Sequence, residues 1–141
     1  MGAGRGGTGT SCPHTGPVPP PVLLVDAANV VGSRPDGWWR DRAAAAARLV
    51  EGLRALPVQD LAPDRVVVVL EGAARPGAPQ GVAGRVDVRH APGSGDDLLA
   101  ELCGPGVLLV TADRGLAARA RARGAAVVGP RRLLDRLDAD A

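Results

Sequence analysis

The stretch Val22-Leu23-Leu24-Val25-Asp26-Ala27-Ala28-Asn29 constrains the fold more than any other part of the chain. Four consecutive apolar side chains suit a strand buried on both faces, the usual state inside a parallel sheet. Asp26 then stands at the carboxyl end of that strand, the edge where open α/β sheets bind their ligands. A buried carboxylate without a partner is costly, so Asp26 calls for a metal, a donor or a proton. Loop and cap roles fit poorly for an acid placed directly after Val-Leu-Leu-Val. Asn29, the only asparagine of the chain, lies three residues on and within reach of the same site.

The remainder alternates between strand and helix signals. Residues from about Trp39 to Leu56 read as a helix whose Ala43, Ala46, Ala47, Val50 and Leu53 form a buried stripe, with Pro57 helping to end it. Arg65–Leu70 is a second strand ending in Glu71-Gly72, followed by a Gly/Pro-rich loop from Ala73 to Gly84. Val86-Asp87-Val88 alternates like a short third strand. A helix is expected over roughly Asp96–Cys103, a fourth strand over Val107–Thr111, and a helix over Arg114–Arg123 with Gly124 as its left-handed terminator. Ala125–Val128 makes a fifth strand, and Pro130–Leu137 a last helix. Strands alternating with helices predict an α/β fold: a three-layer α/β/α, Rossmann-like sandwich around a mainly parallel sheet of about five strands. Residues 1–20, rich in Gly and Pro and poor in apolar side chains, are expected to be a disordered leader, with one domain over 21–141.

Composition sets the remaining bounds. All 17 basic residues are Arg, and Lys, Ile, Phe and Tyr are absent, a skew that reads as coding bias. The core must be built from Val, Leu and Ala, with Trp38 and Trp39 as its aromatic candidates. A net charge of +2 permits an anionic partner without arguing for one. Cys12 sits in the leader and Cys103 on an amphipathic helix, so a structural disulfide is not expected and a reducing cytosol is. Cys12 and His14 lack a second pair with which to bind a metal. No apolar run reaches the roughly 18 residues of a membrane span, and the start lacks a signal-peptide pattern. The expectation is a cytoplasmic protein without a membrane partner.

In a parallel sheet every carboxyl end lies on one edge. Asp26, Glu71 and Asp113 end strands, and Asp96 and Asp97 open a helix, so these acids are predicted to converge. Such a cluster cannot fully ionise without a cation, and hard divalent ions take oxygen ligands. Mg²⁺ or Mn²⁺ held by Asp26, Asp113 and one of Asp96 or Asp97 would activate water and neutralise a phosphodiester. Each acid also has a plainer reading. Ser94-x-x-Asp97 can be a capping box, Asp113 an N-cap before Arg114, and Glu71 a solvated loop acid. Arg114, Arg119, Arg121, Arg123, Arg131, Arg132 and Arg136 could line a phosphate path or simply solvate helix faces. Trp38 and Trp39 could stack bases or anchor packing. His90 could act as an acid or base, with no partner visible in the sequence.

Val-Asp-Ala-Ala-Asn-Val, Gly-Ser-Gly-Asp-Asp-Leu-Leu and Leu-Val-Thr-Ala-Asp-Arg-Gly-Leu together resemble the NYN branch of the PIN-like nuclease superfamily, in the style of its bacterial YacP-like members. The resemblance covers about residues 21–138. It implies the Rossmann-like sandwich and Mg²⁺- or Mn²⁺-dependent cleavage of RNA. By that similarity Asp26 is the first metal acid, Asn29 its polar companion, Asp96 and Asp97 the acidic pair opening a central helix, and Asp113 the acid of the Thr-x-Asp motif. Two positions depart from the pattern: Ala117 where some members carry a further acid, and Glu71-Gly72 where many carry Asp-Gly.

The sequence thus points to a metal-dependent ribonuclease, with Asp26, Asn29, Asp97 and Asp113 as catalytic candidates and Arg114 and Asn29 on the substrate. Two rivals use the same residues. One is a nucleotide phosphohydrolase, for which a small closed pocket would speak. The other is a non-catalytic RNA-binding or interaction module with a weakened site, for which Ala117 speaks.

Overall fold

The computed structural model describes residues 22–56 and 65–139. The leader and its Cys12 and His14 lie outside the described residues. The first strand, β1 (Val22–Asp26), turns directly into a short helix, α1 (Ala27–Gly32). A single 3₁₀ turn at Trp38–Arg40 precedes α2 (Arg42–Ala55). The chain continues through β2 (Arg65–Leu70), a 3₁₀ turn at Gly72–Gly77, β3 (Gly81–Ala83) and β4 (Val86–His90). It ends in α3 (Gly95–Leu102), β5 (Val107–Val110), α4 (Arg114–Ala122), β6 (Ala126–Val128) and α5 (Pro130–Ala139).

Two of these elements lay hidden in the sequence. α1 occupies a stretch to which the sequence reading assigned no element, and it forms because Asp26 caps it: the Asn29 N–H donates to Asp26 Oδ1 at 3.3 Å. The cap role judged unsuitable for Asp26 is therefore one that it fills. β3 adds a sixth strand inside the expected Gly/Pro loop, pairing antiparallel with β4 through Gly81↔Val88 to Ala83↔Val86. α2 also starts later than expected. Asp41 Oδ1 accepts the Ala44 N–H at 2.9 Å and so fixes the N-cap there.

The sheet runs β3-β4-β2-β1-β5-β6, parallel throughout except for β3. Alternate side chains enter opposite layers, as the pleat requires. Leu23, Val25, Val66, Val68 and Leu70 face α1, α2 and α5, meeting Val30, Leu49, Leu53, Leu133 and Leu134. Leu24, Val67, Val69 and Leu109 face α3 and α4, meeting Leu99, Leu116 and Ala120. The result is an α/β/α sandwich whose core is Val, Leu and Ala with the single Cys103 among the described residues. Neither tryptophan belongs to this core: Trp39 is 55% exposed, while Trp38 is half-buried and lines a small hollow with Ala27, Val31 and Ala46. Gly77 shows how closely the second 3₁₀ turn seats on α2: a Cβ there would lie 2.4 Å from the Ala43 carbonyl oxygen.

Because β1 is flanked by β2 on one side and β5 on the other, the winding direction reverses between β1 and β5. A crevice opens above the carboxyl ends at such a switch point, and ligands of open α/β sheets bind there. Asp26 stands on one lip of this crevice, and Thr111, directly after β5, on the other.

Candidate functional site at the sheet switch point

A ladder of hydrogen bonds crosses the crevice. Thr111 Oγ1 donates to Asp26 Oδ2 at 2.9 Å, a fully buried contact. The same hydroxyl accepts the Asp113 N–H at 3.1 Å. Asn29 Oδ1 accepts the Ala112 N–H at 2.8 Å. Asp113 Oδ1 accepts the Leu116 N–H at 3.0 Å and so caps α4. The turn Thr111-Ala112-Asp113 is thereby tied to β1 and α1 at two points. Thr111 is the site residue whose role the sequence did not disclose. The signal was its place two residues before Asp113, at the end of an apolar strand.

Asn29, expected to touch substrate, uses its carbonyl oxygen to hold the β5–α4 turn. Its amide nitrogen has no hydrogen bond among the described residues.

Further acids stand where β2 ends and α3 begins. Ser94 Oγ accepts the Asp96 N–H at 3.2 Å, and Glu71 Oε2 accepts the Gly95 N–H. Gly95 makes room for this: a Cβ would lie 2.7 Å from the Glu71 carboxylate. Glu71 is therefore a helix cap, not a solvated loop acid. The expected reciprocal capping box does not form, because Asp97 turns outward to an ion pair with Arg119 at 3.2 Å. Asp96 is half-buried and faces the other acids.

The acids repel one another. Burial, then the charges of Asp96 and Glu71, push the Asp26 carboxyl up to about 6, against the opposing pull of the hydrogen bonds from Thr111 and Asn29. Burial likewise raises Asp96, reinforced by Asp113 and Glu71. Three helix N-termini point into this edge and supply partial positive charge. They do not hold Asp26 in the ordinary carboxylate range. Among the described residues, no Arg or His forms an ion pair with Asp26, Glu71, Asp96 or Asp113.

This donor set decides how a divalent ion would fit. Among the described residues, no three His, Cys, Asp or Glu side chains form an arrangement that could hold an ion by themselves. The three-acid cage expected from the sequence is thus not preassembled. Mg²⁺, however, commonly takes one or two carboxylates and fills its octahedron with water and substrate phosphate. The edge fits that second, open kind of site: oxygen donors, excess negative charge and a crevice leading to solvent.

Other candidates have structural roles. His90 Nε2 contacts the Ala78 carbonyl oxygen at 2.7 Å, and the His90 N–H donates to Gln80 Oε1 at 2.7 Å, so this residue staples the β3–β4 hairpin. Asp87 is clamped between Arg65 at 3.0 Å and Arg89 at 2.9 Å, which hold its carboxyl below the usual range. Trp38 carries the Arg42 guanidinium over its ring at 5.3 Å and lines a small hollow with Glu71. On the β6 side of the crevice, Thr111, Arg114, Ala117, Arg121 and Gly129 line an open hollow of about 480 Å³.

No protein-family model matches the chain, and no curated protein matches it. Among solved structures it is similar to Rae1 (YacP) from Bacillus subtilis, in the crystal structure of a point mutant. The two share 16% identity at a TM-score of 0.57, over 84% of this chain and 76% of that one. A likeness at that identity is one of fold, and it gives this chain a YacP-like α/β/α architecture.

Proposed function

We propose that the protein is a metal-dependent ribonuclease acting at the β1–β5 crevice. One observation carries the reading: a buried acid, Asp26, stands at the switch point among Asp96, Glu71 and Asp113, and none of the four forms an ion pair among the described residues, Arg119 acting on Asp96 only from beyond contact. Asp26, with Asp96 or Asp113 as a second carboxylate, would hold Mg²⁺ or Mn²⁺, whose remaining positions water and substrate phosphate would fill. Such an ion supplies neutralisation of phosphate charge and activation of water. Thr111 orients the Asp26 carboxylate through its hydrogen bond and leaves the outer lone pairs toward the crevice. Asn29 fixes the turn that carries Asp113 and leaves its amide nitrogen to donate to a phosphate oxygen. RNA is favoured over a free nucleotide because the hollow beside the acids is open and rimmed by arginine.

The free, buried thiol of Cys103 agrees with a reducing compartment such as the cytoplasm. Among the described residues no helix is long and apolar enough to cross a membrane.

The test is cleavage of a labelled single-stranded RNA with Mn²⁺ present and with EDTA. Wild type should cut only with metal, and Asp26→Asn should not cut. Undiminished cleavage by Asp26→Asn would refute the assignment. A second reading, an RNA-binding module without catalysis, is favoured by the missing ion cage and by Ala117. It predicts RNA binding with no Mn²⁺-dependent product and no Mn²⁺ binding at millimolar concentration.

A further inference from the structure

We propose that the hollow beside Thr111, rimmed by Arg114 and Arg121, is a phosphate subsite that grips a nucleic-acid strand on the β6 side of the bond at Asp26. The inference rests on the nuclease reading for its scissile bond and on independent geometry for its grip.

Arg114 and Arg121 are seven residues apart on α4, two turns of one face, with Ala117 between them. Ala117 is buried and ends at its methyl, so no carboxylate stands between the two guanidiniums. The position that departs from the family pattern is the floor of this hollow. Arg119, on another face of the same helix, is neutralised by Asp97, and Arg131 on α5 lies 3.9 Å from Asp135. Arg114 and Arg121 have no ion pair or hydrogen bond among the described residues.

The lining of the hollow holds these two guanidiniums and no acid. The hollow between α1, α2 and α5, by contrast, mixes Arg34 and Arg48 with Asp36 and Asp138. A phosphate dianion or diester entering beside Thr111 therefore meets positive charge only. Thr111 is shared by both sites: its hydroxyl holds Asp26 while the residue walls the hollow. A strand seated at Asp26 thus passes directly onto Arg114 and Arg121. Gly129 opens the far end toward a second hollow that holds Arg131. An open trough continuing past the arginines suits a polymer, and a mononucleotide would leave it half empty.

The experiment measures binding of a fluorescein-labelled 12-residue single-stranded RNA by anisotropy, in EDTA, across a salt series. The proteins are the full-length wild type, R114Q, R121Q, the double variant, and R54Q. R54Q removes one charge, as each single variant does, from the far end of α2, where Arg54 pairs with Glu51. Each guanidinium that meets a phosphate of single-stranded nucleic acid contributes about 0.7 to the slope of log K against log salt. The double variant should bind at least tenfold more weakly and lose about 1.4 from that slope, while R54Q stays within twofold. Melting temperatures should not move, since both side chains are exposed. Equal weakening by R54Q and the double variant, or an unchanged slope, would overturn the subsite. Full displacement of RNA by 1 mM inorganic phosphate or AMP would also overturn it, because the hollow would then be a site for free phosphate. Binding in EDTA is independent of turnover. A wild type that binds as expected yet never cuts removes the nuclease reading and keeps the subsite. A wild type that cuts, while the double variant binds like R54Q, removes the subsite alone.

Discussion

Thr111 donates its hydroxyl to Asp26 across 85 residues of chain and across the switch point of the sheet, at 2.9 Å and out of contact with water. The bond joins the end of β1 to the end of β5 and, with the Asn29 N–H on Oδ1, fixes the orientation of the Asp26 carboxylate. Five expectations follow from it and its neighbours.

Thr111→Val preserves shape and removes the hydroxyl. Asp26 Oδ2 then loses its donor and the Asp113 N–H its acceptor, both in a buried setting. Destabilisation of about 1–3 kcal/mol is expected by urea denaturation at neutral pH. Thr111→Ser should restore most of it. A valine variant as stable as wild type would show the bond to be energetically idle.

The raised Asp26 carboxyl gives a stability profile of definite sign. Its folded pKa of about 6 exceeds the ordinary 3.8, so the folded state binds the proton more tightly. The stabilisation from this group is complete below pH 3.8 and is lost as pH rises through 6. The full loss is about 3 kcal/mol at most, from roughly 1.4 kcal/mol per unit. Asp26→Asn, which mimics the neutral acid, should match wild type near pH 4 and exceed it at pH 7.5 in EDTA. Melting curves over that range decide the matter, and parallel profiles would refute the burial argument.

Mn²⁺ should oppose that trend. An ion bound at the crevice stabilises the folded state by mass action, and protons compete for Asp26. The rise in melting temperature with 5 mM Mn²⁺ should therefore be larger at pH 8 than at pH 5, and absent in Asp26→Asn. An equal rise in that variant would locate the ion elsewhere.

Asp113 separates capping from ion binding. Asp113→Ser keeps an N-cap for the Leu116 N–H, so stability should change by less than about 0.5 kcal/mol. Affinity for Mn²⁺ should nevertheless drop at least roughly tenfold, since even outer partners of an ion are worth that much. Isothermal titration beside melting curves reads both quantities, and intact affinity would leave Asp113 as a cap alone.

The tie between Asn29 and Ala112 can be tested in the same way. Asn29→Ala removes the acceptor of the Ala112 N–H and should cost about 1 kcal/mol. Asn29→Asp retains the acceptor and should recover that stability, while its added charge pushes the Asp26 carboxyl further up. If the alanine variant proves as stable as wild type, the turn is held without Asn29.

The alternation of strands and helices apart from α1 and β3, the mainly parallel sheet, and the placing of Asp26 and Asp113 at strand ends and of Asp96 at a helix start were legible in the sequence. Apolar runs such as Val22–Val25 and Val66–Val69 need cover on both faces, and parallel connections force every strand to end on the same side. What the linear pattern could not hold was pairing at a distance. α1 forms because Asp26 caps it, and β3 because β4 offers it a partner. Glu71 reaches α3 across 24 residues because Gly95 has no Cβ. Asp97 turns away because Arg119 stands behind it. Hydrogen bonds and ion pairs such as Thr111–Asp26 act between residues that only folding brings together. The sequence thus determined that acids would gather at the sheet edge. The tertiary structure alone decided which of them face the crevice, which serve as caps, and which two arginines line the hollow beside Thr111 without an ion pair among the described residues.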